Sequence, residues 1–240
     1  MLRTIILGRP HDFLLHRPET QAFARTVEET LPDTCRARGL KPPRAVFVPF
    51  TEFTNRTLAD TALDQWTAFG SVYLSKEPAD GVLLESAGHA GAVTLADCLA
   101  ICLLEETRLA VLHGGLRCLI RDDGESIIVE VVQRHAFHPE KIHAWIGAGI
   151  GPCCYGLDHI SDRIPQDAVR KPIRGPRRDK PYAVDLRAIV RSQLLALGVP
   201  GEQITIDERC TSCFEDQGIP PYWSHVRGDR QRNLFVAWLT

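Results

Sequence analysis

The stretch that decides the fold reads LADCLAICLLEETRLAVLHGG over residues 95–115. It holds two apolar runs of strand length, 99–104 and 109–112, joined by four residues. That link is too short for the crossover helix a parallel pair requires, so the stretch predicts a mixed sheet rather than a purely parallel one. Working outward, 45–50, 71–75, 81–84, 144–150, 204–206 and 234–239 also read as strands. Helices are predicted between 18 and 38, over 125–134 and over 185–197. The first carries Phe23, Val27 and Leu31 at helical spacing, and Pro32 is expected to break it. The last stops at Gly198, in the position where a left-handed residue caps a helix. The segment 51–69, rich in Thr and Asp, gives no clear element. Strands alternating with helices place the chain in the α/β class.

Composition narrows the function. With 28 basic and 30 acidic residues the net charge is -2, without the basic excess of a dedicated nucleic-acid binder. The one basic cluster, RKPIRGPRRDK at 170–180, is broken by two prolines and a glycine and reads as a solvated loop. No apolar run approaches the ~18 residues of a membrane span, and residues 1–13 lack a signal-peptide core. The eight cysteines are too few for a secreted disulfide scaffold, so they are expected to be reduced thiols of a cytoplasmic protein.

Several constellations can carry chemistry. Asp97 and Cys98 are followed fifteen residues later by His113, all at the ends of apolar runs where a scaffold presents side chains to a cleft. An imidazole near a thiol makes it a nucleophile, and together the two are metal ligands. GAGIGPCCY at 147–155 supplies glycines that allow close backbone approach, but Pro152 argues against a dinucleotide loop. Vicinal Cys153–Cys154 is compatible with a redox pair or with packing. Cys210-Thr211-Ser212-Cys213 is a CxxC, for which a structural zinc site needs a second ligand pair, with only His225 available downstream. Ser224-His225-Val226-Arg227 offers an arginine suited to phosphate or carboxylate.

Taken in order, Ala79-Asp80-Gly81, Leu95-Ala96-Asp97-Cys98, Leu112-His113-Gly114-Gly115-Leu116-Arg117, Gly151-Pro152-Cys153-Cys154-Tyr155, Cys210-Thr211 and Ser224-His225-Val226-Arg227 resemble the signature segments of the laccase-domain proteins, also called the polyphenol oxidase or purine nucleoside phosphorylase family. The resemblance covers residues 79–240 of a single domain spanning 1–240, with 1–78 divergent. It implies a layered α/β sandwich with mixed β-sheets, similar to the catalytic domain of cytotoxic necrotizing factors. It also implies a zinc site made by an upstream histidine, Cys98 and His113, and activities of purine nucleoside phosphorolysis and adenosine deamination. On this resemblance the catalytic set is Cys98, His113, Asp97, Arg117 and Arg227. Asp97 would orient His113 or move a proton, and the arginines would hold phosphate. Gly151, Cys153 and Ser224 would contact substrate.

The departures are specific. No histidine lies between His16 and His89, so the upstream ligand is absent, with Phe53 or Phe69 in its place. His11, His16 or His89 would have to substitute through space. Loss of one of three ligands weakens zinc binding. Copper is not expected, since nine scattered histidines and one methionine do not make a multicopper site. The expected partners are a purine nucleoside and phosphate, with no nucleic acid, no membrane and a monomeric chain. The alternatives are a Cys–His thiol hydrolase of the peptidoglycan-precursor editing type, or a non-catalytic relative.

Overall fold

The computed structural model describes residues 1–15, 20–170 and 180–240. One six-stranded sheet has the spatial order Leu2–Leu7, Asn233–Leu239, His89–Leu95, Ala45–Phe50, Val72–Pro78 and Trp66–Phe69. A second has the order Ile204–Ile206, His143–Ile146, Leu99–Glu105, Arg108–Gly114, Gly81–Leu84 and Thr57–Ala59. A small third sheet pairs Gly156–Leu157, Tyr182–Val184 and Val169–Arg170. Both large sheets are mixed, and the short link at 105–108 joins an antiparallel pair in the second. His89–Leu95 runs antiparallel to Asn233–Leu239 and parallel to Ala45–Phe50. Leu99–Glu105 is antiparallel to both of its neighbours.

The two-residue period of the strands builds the layers. Val46 and Val48 pack with Phe23, Val27 and Leu31 of helix α1, Thr20–Ala37. The alternate residues Ala45 and Phe47 pack instead with Val82, Val111 and Phe235 in a core between the two large sheets. Gly91 lets those sheets close, because a methyl there would stand 2.9 Å from Val111 Cγ2. The outer face of the second sheet is covered by α2 (Leu116–Leu119), α3 (Ile127–Arg134) and α4 (Leu186–Leu197). The result is a helix–sheet–sheet–helix sandwich.

Local chemistry explains most boundaries. Ser126 caps α3 by accepting from Val129 N at 3.3 Å. Asp185 caps α4, and Gly198 closes it at φ 98°. Pro32 does not break α1, which continues to Ala37. Leu31 and Cys35 lie one turn apart on the buried face, and their burial helps offset the roughly 3 kcal/mol of an internal proline. The predicted strand at 144–150 ends at Ile146, after which the backbone is irregular. Strands Leu2–Leu7 and Thr57–Ala59 carry weaker alternation and were not evident in the sequence. Residues 171–179 of the basic cluster lie outside the described residues.

Candidate active site

The chain leaves one large sheet at Leu95 and joins the other at Leu99, so residues 96–98 form the link between them. Asp97 takes the left-handed conformation this tight turn demands, with φ 84°. In the second sheet Ala100 pairs with His113 and Leu99 with Gly114, which brings Cys98 opposite Gly115. The pleat turns Cys98 and His113 to the same face. A methyl on Gly115 would meet Cys98 Sγ at 3.2 Å, Phe53 Cε1 at 3.2 Å and His113 Cε1 at 3.3 Å, so these three side chains converge on this glycine and a larger residue would have to push them apart by a few tenths of an ångström. They open into a cavity of about 540 Å³, which Thr94, His225 and Arg232 also line.

His113 is anchored from behind by Asp80, a fully buried carboxylate. Asp80 accepts the backbone N–H groups of Phe53 (3.0 Å), Thr54 and Asn55 (3.0 Å), and the Thr54 hydroxyl at 3.1 Å. Those amides converge because Phe53 and Asn55 have φ near +57°, which folds the loop around the carboxylate. His113 Nδ1 lies 3.4 Å from Asp80 Oδ1 and 3.8 Å from Cys118 Sγ, while its Cε1 shares the Gly115 face with Cys98 Sγ. Burial opposes charge on His113, but the Cys98 sulfur and the Asp80 carboxylate overcome it and raise the imidazole well above its ordinary 6.5. Burial opposes charge on Asp80 too, and His113 with the loop amides holds it below 3.8. Asp80, His113 and Cys118 place their donor atoms within 4.8 Å of one another and form a group able to hold a metal.

The other predicted residues fall elsewhere. Asp97 does not touch His113: its Oδ1 accepts from Thr211 Oγ1 at 2.7 Å and its Oδ2 from Val226 N at 2.8 Å. The carboxylate that orients His113 is Asp80, which the Ala79-Asp80-Gly81 segment contained without its role being apparent. Arg227 donates to the carbonyls of Thr211 (3.3 Å), Ser212 (3.0 Å) and Tyr222 and to the Asp229 carboxylate. It therefore ties loops together. Ser224 is fully buried beneath it. The Arg117 guanidinium lies 5.4 Å from the Phe53 ring, at the rim of the site. Arg232, a cavity cation that sequence reasoning missed, has no motif to mark it. Gly151 and Cys153 are not among the cavity's lining residues; Cys153 belongs to a cluster of four thiols, and Gly151 lies beside it.

A third zinc ligand matching the resemblance is missing among the described residues around Cys98 and His113. Phe53 puts a phenyl ring there, 5.6 Å from the His113 ring, whereas Phe69 packs under α1. His89 belongs to the far end of its strand, about 20 Å from the 96–98 link at 3.3 Å per residue, and is bound to Asp60 at 2.7 Å. The His11 ring packs near Phe13, and His16 lies outside the described residues. Among the described residues no group containing both Cys98 and His113 brings three donor atoms within 4.8 Å of one another; the group that does form around His113 is Asp80, His113 and Cys118, all buried.

The sandwich and its cysteine–histidine turn define a laccase-like α/β protein. Residues 24–240 match the family described as multi-copper polyphenol oxidoreductase laccase, and the chain belongs to that family. It is 36% identical over 169 residues to purine nucleoside phosphorylase YlmD of Geobacillus stearothermophilus, across 67% of this chain and 59% of that protein. The match thus spans about three fifths of the relative. Over 147 residues it is 27% identical to adenosine deaminase RL5 from an unknown prokaryotic organism, covering 57% of this chain and 54% of that one. Among solved structures, Neisseria meningitidis protein NMB0706 shares the fold, with a TM-score of 0.71, 20% identity, and coverage of 99% of this chain and 94% of that one.

Proposed function

We propose that this chain is a purine-nucleoside-processing enzyme whose reaction takes place in the Cys98–His113 cavity. Phosphorolysis is the reading the geometry supports best, and the observation that carries it is an imidazole that lines the cavity with a buried carboxylate, Asp80, 3.4 Å behind its Nδ1. The purine stacks on Phe53, an aromatic face at the cavity wall. Phosphate lies against Arg232, and its oxygen forms the new bond to the anomeric carbon as the N-glycosidic bond breaks. The bond pair passes to the departing base, which takes a proton from His113. Asp80 stabilises the charged imidazole before transfer and fixes which nitrogen faces the cavity. Asp97 acts as a positioning residue, holding Thr211 and Val226 against the turn that carries Cys98.

The assay is incubation of purified protein with inosine or adenosine and phosphate, following free base and ribose-1-phosphate. Release of both in equal amounts, lost in His113→Gln, supports the reading. Inosine formed from adenosine without phosphate dependence would assign deamination to the same cavity instead. No turnover at high enzyme concentration removes both. A second reading, a Cys–His thiol hydrolase, is favoured by the convergence of Cys98 Sγ and the His113 ring on Gly115. It requires Cys98 to be alkylated by iodoacetamide in metal-free protein, with loss of amide-bond hydrolysis.

A further inference from the structure

On the far side of the 147–154 loop from the cavity lies a second group of ligand-type side chains. Strands His143–Ile146 and Ile204–Ile206 run parallel and adjacent, so the chain leaves both in the same direction. The first exit carries Cys153 and Cys154, the second Cys210 and Cys213. A bridge between Gly149 and Cys210, with Thr211 N donating to Gly149 O at 3.0 Å, locks the two exits together. Arg187, a buried arginine of α4, donates to the carbonyls of Gly149 (2.8 Å), Ile150 (3.3 Å), Asp207 (2.9 Å) and Arg209 (2.6 Å), which fixes both loops from below. The second ligand pair that the CxxC needed thus comes from upstream.

We propose that Cys153, Cys154, Cys210 and Cys213 form a structural zinc site, separate from the Cys98–His113 cavity. All four sulfurs lie within 4.8 Å of one another, and Cys153 Sγ to Cys213 Sγ is 3.5 Å. A tetrahedral zinc with bonds of about 2.3 Å sets its sulfurs about 3.8 Å apart, so small rotamer changes close the set. Gly151 N donates to Cys210 Sγ at 3.2 Å, the kind of contact that stabilises a metal-bound thiolate. Cys154 and Cys210 are buried while Cys213 is exposed, which leaves a path for the ion. Four soft sulfur donors with no carboxylate among them select zinc over hard cations. The ion would be closed off by four protein ligands, so its role is to brace the loop that packs on Asp97, whose carbonyl accepts from Ile150 N at 2.8 Å.

The test is elemental analysis of the whole chain after equilibration with zinc and gel filtration, with cobalt substitution as the spectroscopic check. The expected result is one zinc per chain, unchanged in Cys98→Ser and lost in Cys213→Ser, with the intense visible bands of tetrahedral tetrathiolate cobalt. Cys213 is exposed, so that variant is expected to fold, and circular dichroism checks it. Cys210→Ser is a second reporter that must behave alike. Zinc retained in Cys213→Ser and Cys210→Ser, or lost in Cys98→Ser, overturns the proposal. So does a wild-type chain that takes up no zinc while all four thiols titrate as free, or one carrying a Cys153–Cys213 disulfide after purification under reducing conditions.

Discussion

Replacing Asp80 by Asn keeps the size of the side chain and removes its charge, which isolates what the carboxylate does for His113. In the native chain Oδ1 faces Phe53 N and His113 Nδ1, and Oδ2 faces the amides of Thr54 and Asn55 and the Thr54 hydroxyl. Whichever position the amide nitrogen takes, at least one buried backbone N–H is left facing a donor, at about 1–3 kcal/mol. The bonds that remain become neutral, each weaker by about 1 kcal/mol. The sum is about 3–5 kcal/mol, the range typical of removing one partner from a buried charged pair. For a chain of this size that corresponds to a fall in Tm of roughly 6–20 °C. The same substitution should lower the His113 pKa, with Cys98 left as the main group that still raises it. Thermal denaturation reads the first effect, and an NMR titration of the imidazole below the variant's melting range reads the second. A Tm loss under about 2 °C, or a His113 pKa that does not move, would refute the coupling.

Three further outcomes follow from the site. Because the native pKa of His113 is raised, its contribution to stability is fully present below about pH 6.5 and fades as pH rises through the native value. Denaturant unfolding should show that alkaline loss in wild type and its absence in His113→Gln; the depressed Asp80 produces the opposite loss, on acidification below 3.8. Phe53→His puts an imidazole where the zinc set lacks one, on a residue type that tolerates the φ of 57° there. Elemental analysis should find one more zinc per chain than in wild type, removed again by Cys98→Ser. Asp97→Ala frees Thr211 and Val226, and should raise KM more than it lowers kcat, while chemical denaturation reports a loss of about 1–3 kcal/mol; an unchanged KM would leave Asp97 no part in shaping the cavity.

The parts of this molecule legible in the sequence are those set by local pattern. The runs at 99–104 and 109–112, the capped helix ending at Gly198 and the short link at 105–108 each carry their own signal, and the mixed sheet follows. The pairing of Cys98 with His113 was legible because both belong to one hairpin, whose register places them on one face. Asp80 was harder, since its partners at 53–55 are backbone amides, and amides carry no residue signature. Arg227 read differently for the opposite reason: an arginine in a motif suggests a ligand, yet both of its terminal nitrogens bond loop carbonyls, and one of them the Asp229 carboxylate, groups that only the fold brings within reach. The four-thiol cluster joins residues about 60 positions apart through parallel strand exits, a distance no CxxC spacing rule spans.

The three-residue passage at 96–98 joins both large sheets, carries Cys98 and, through Asp97, grips two distant loops. The Cys98–His113 cavity therefore lies at the seam of the sandwich. Slippage of one sheet over the other would change the gap between Cys98 and His113, so under the proposed function the tightness of the interior would set how well the two side chains are aligned.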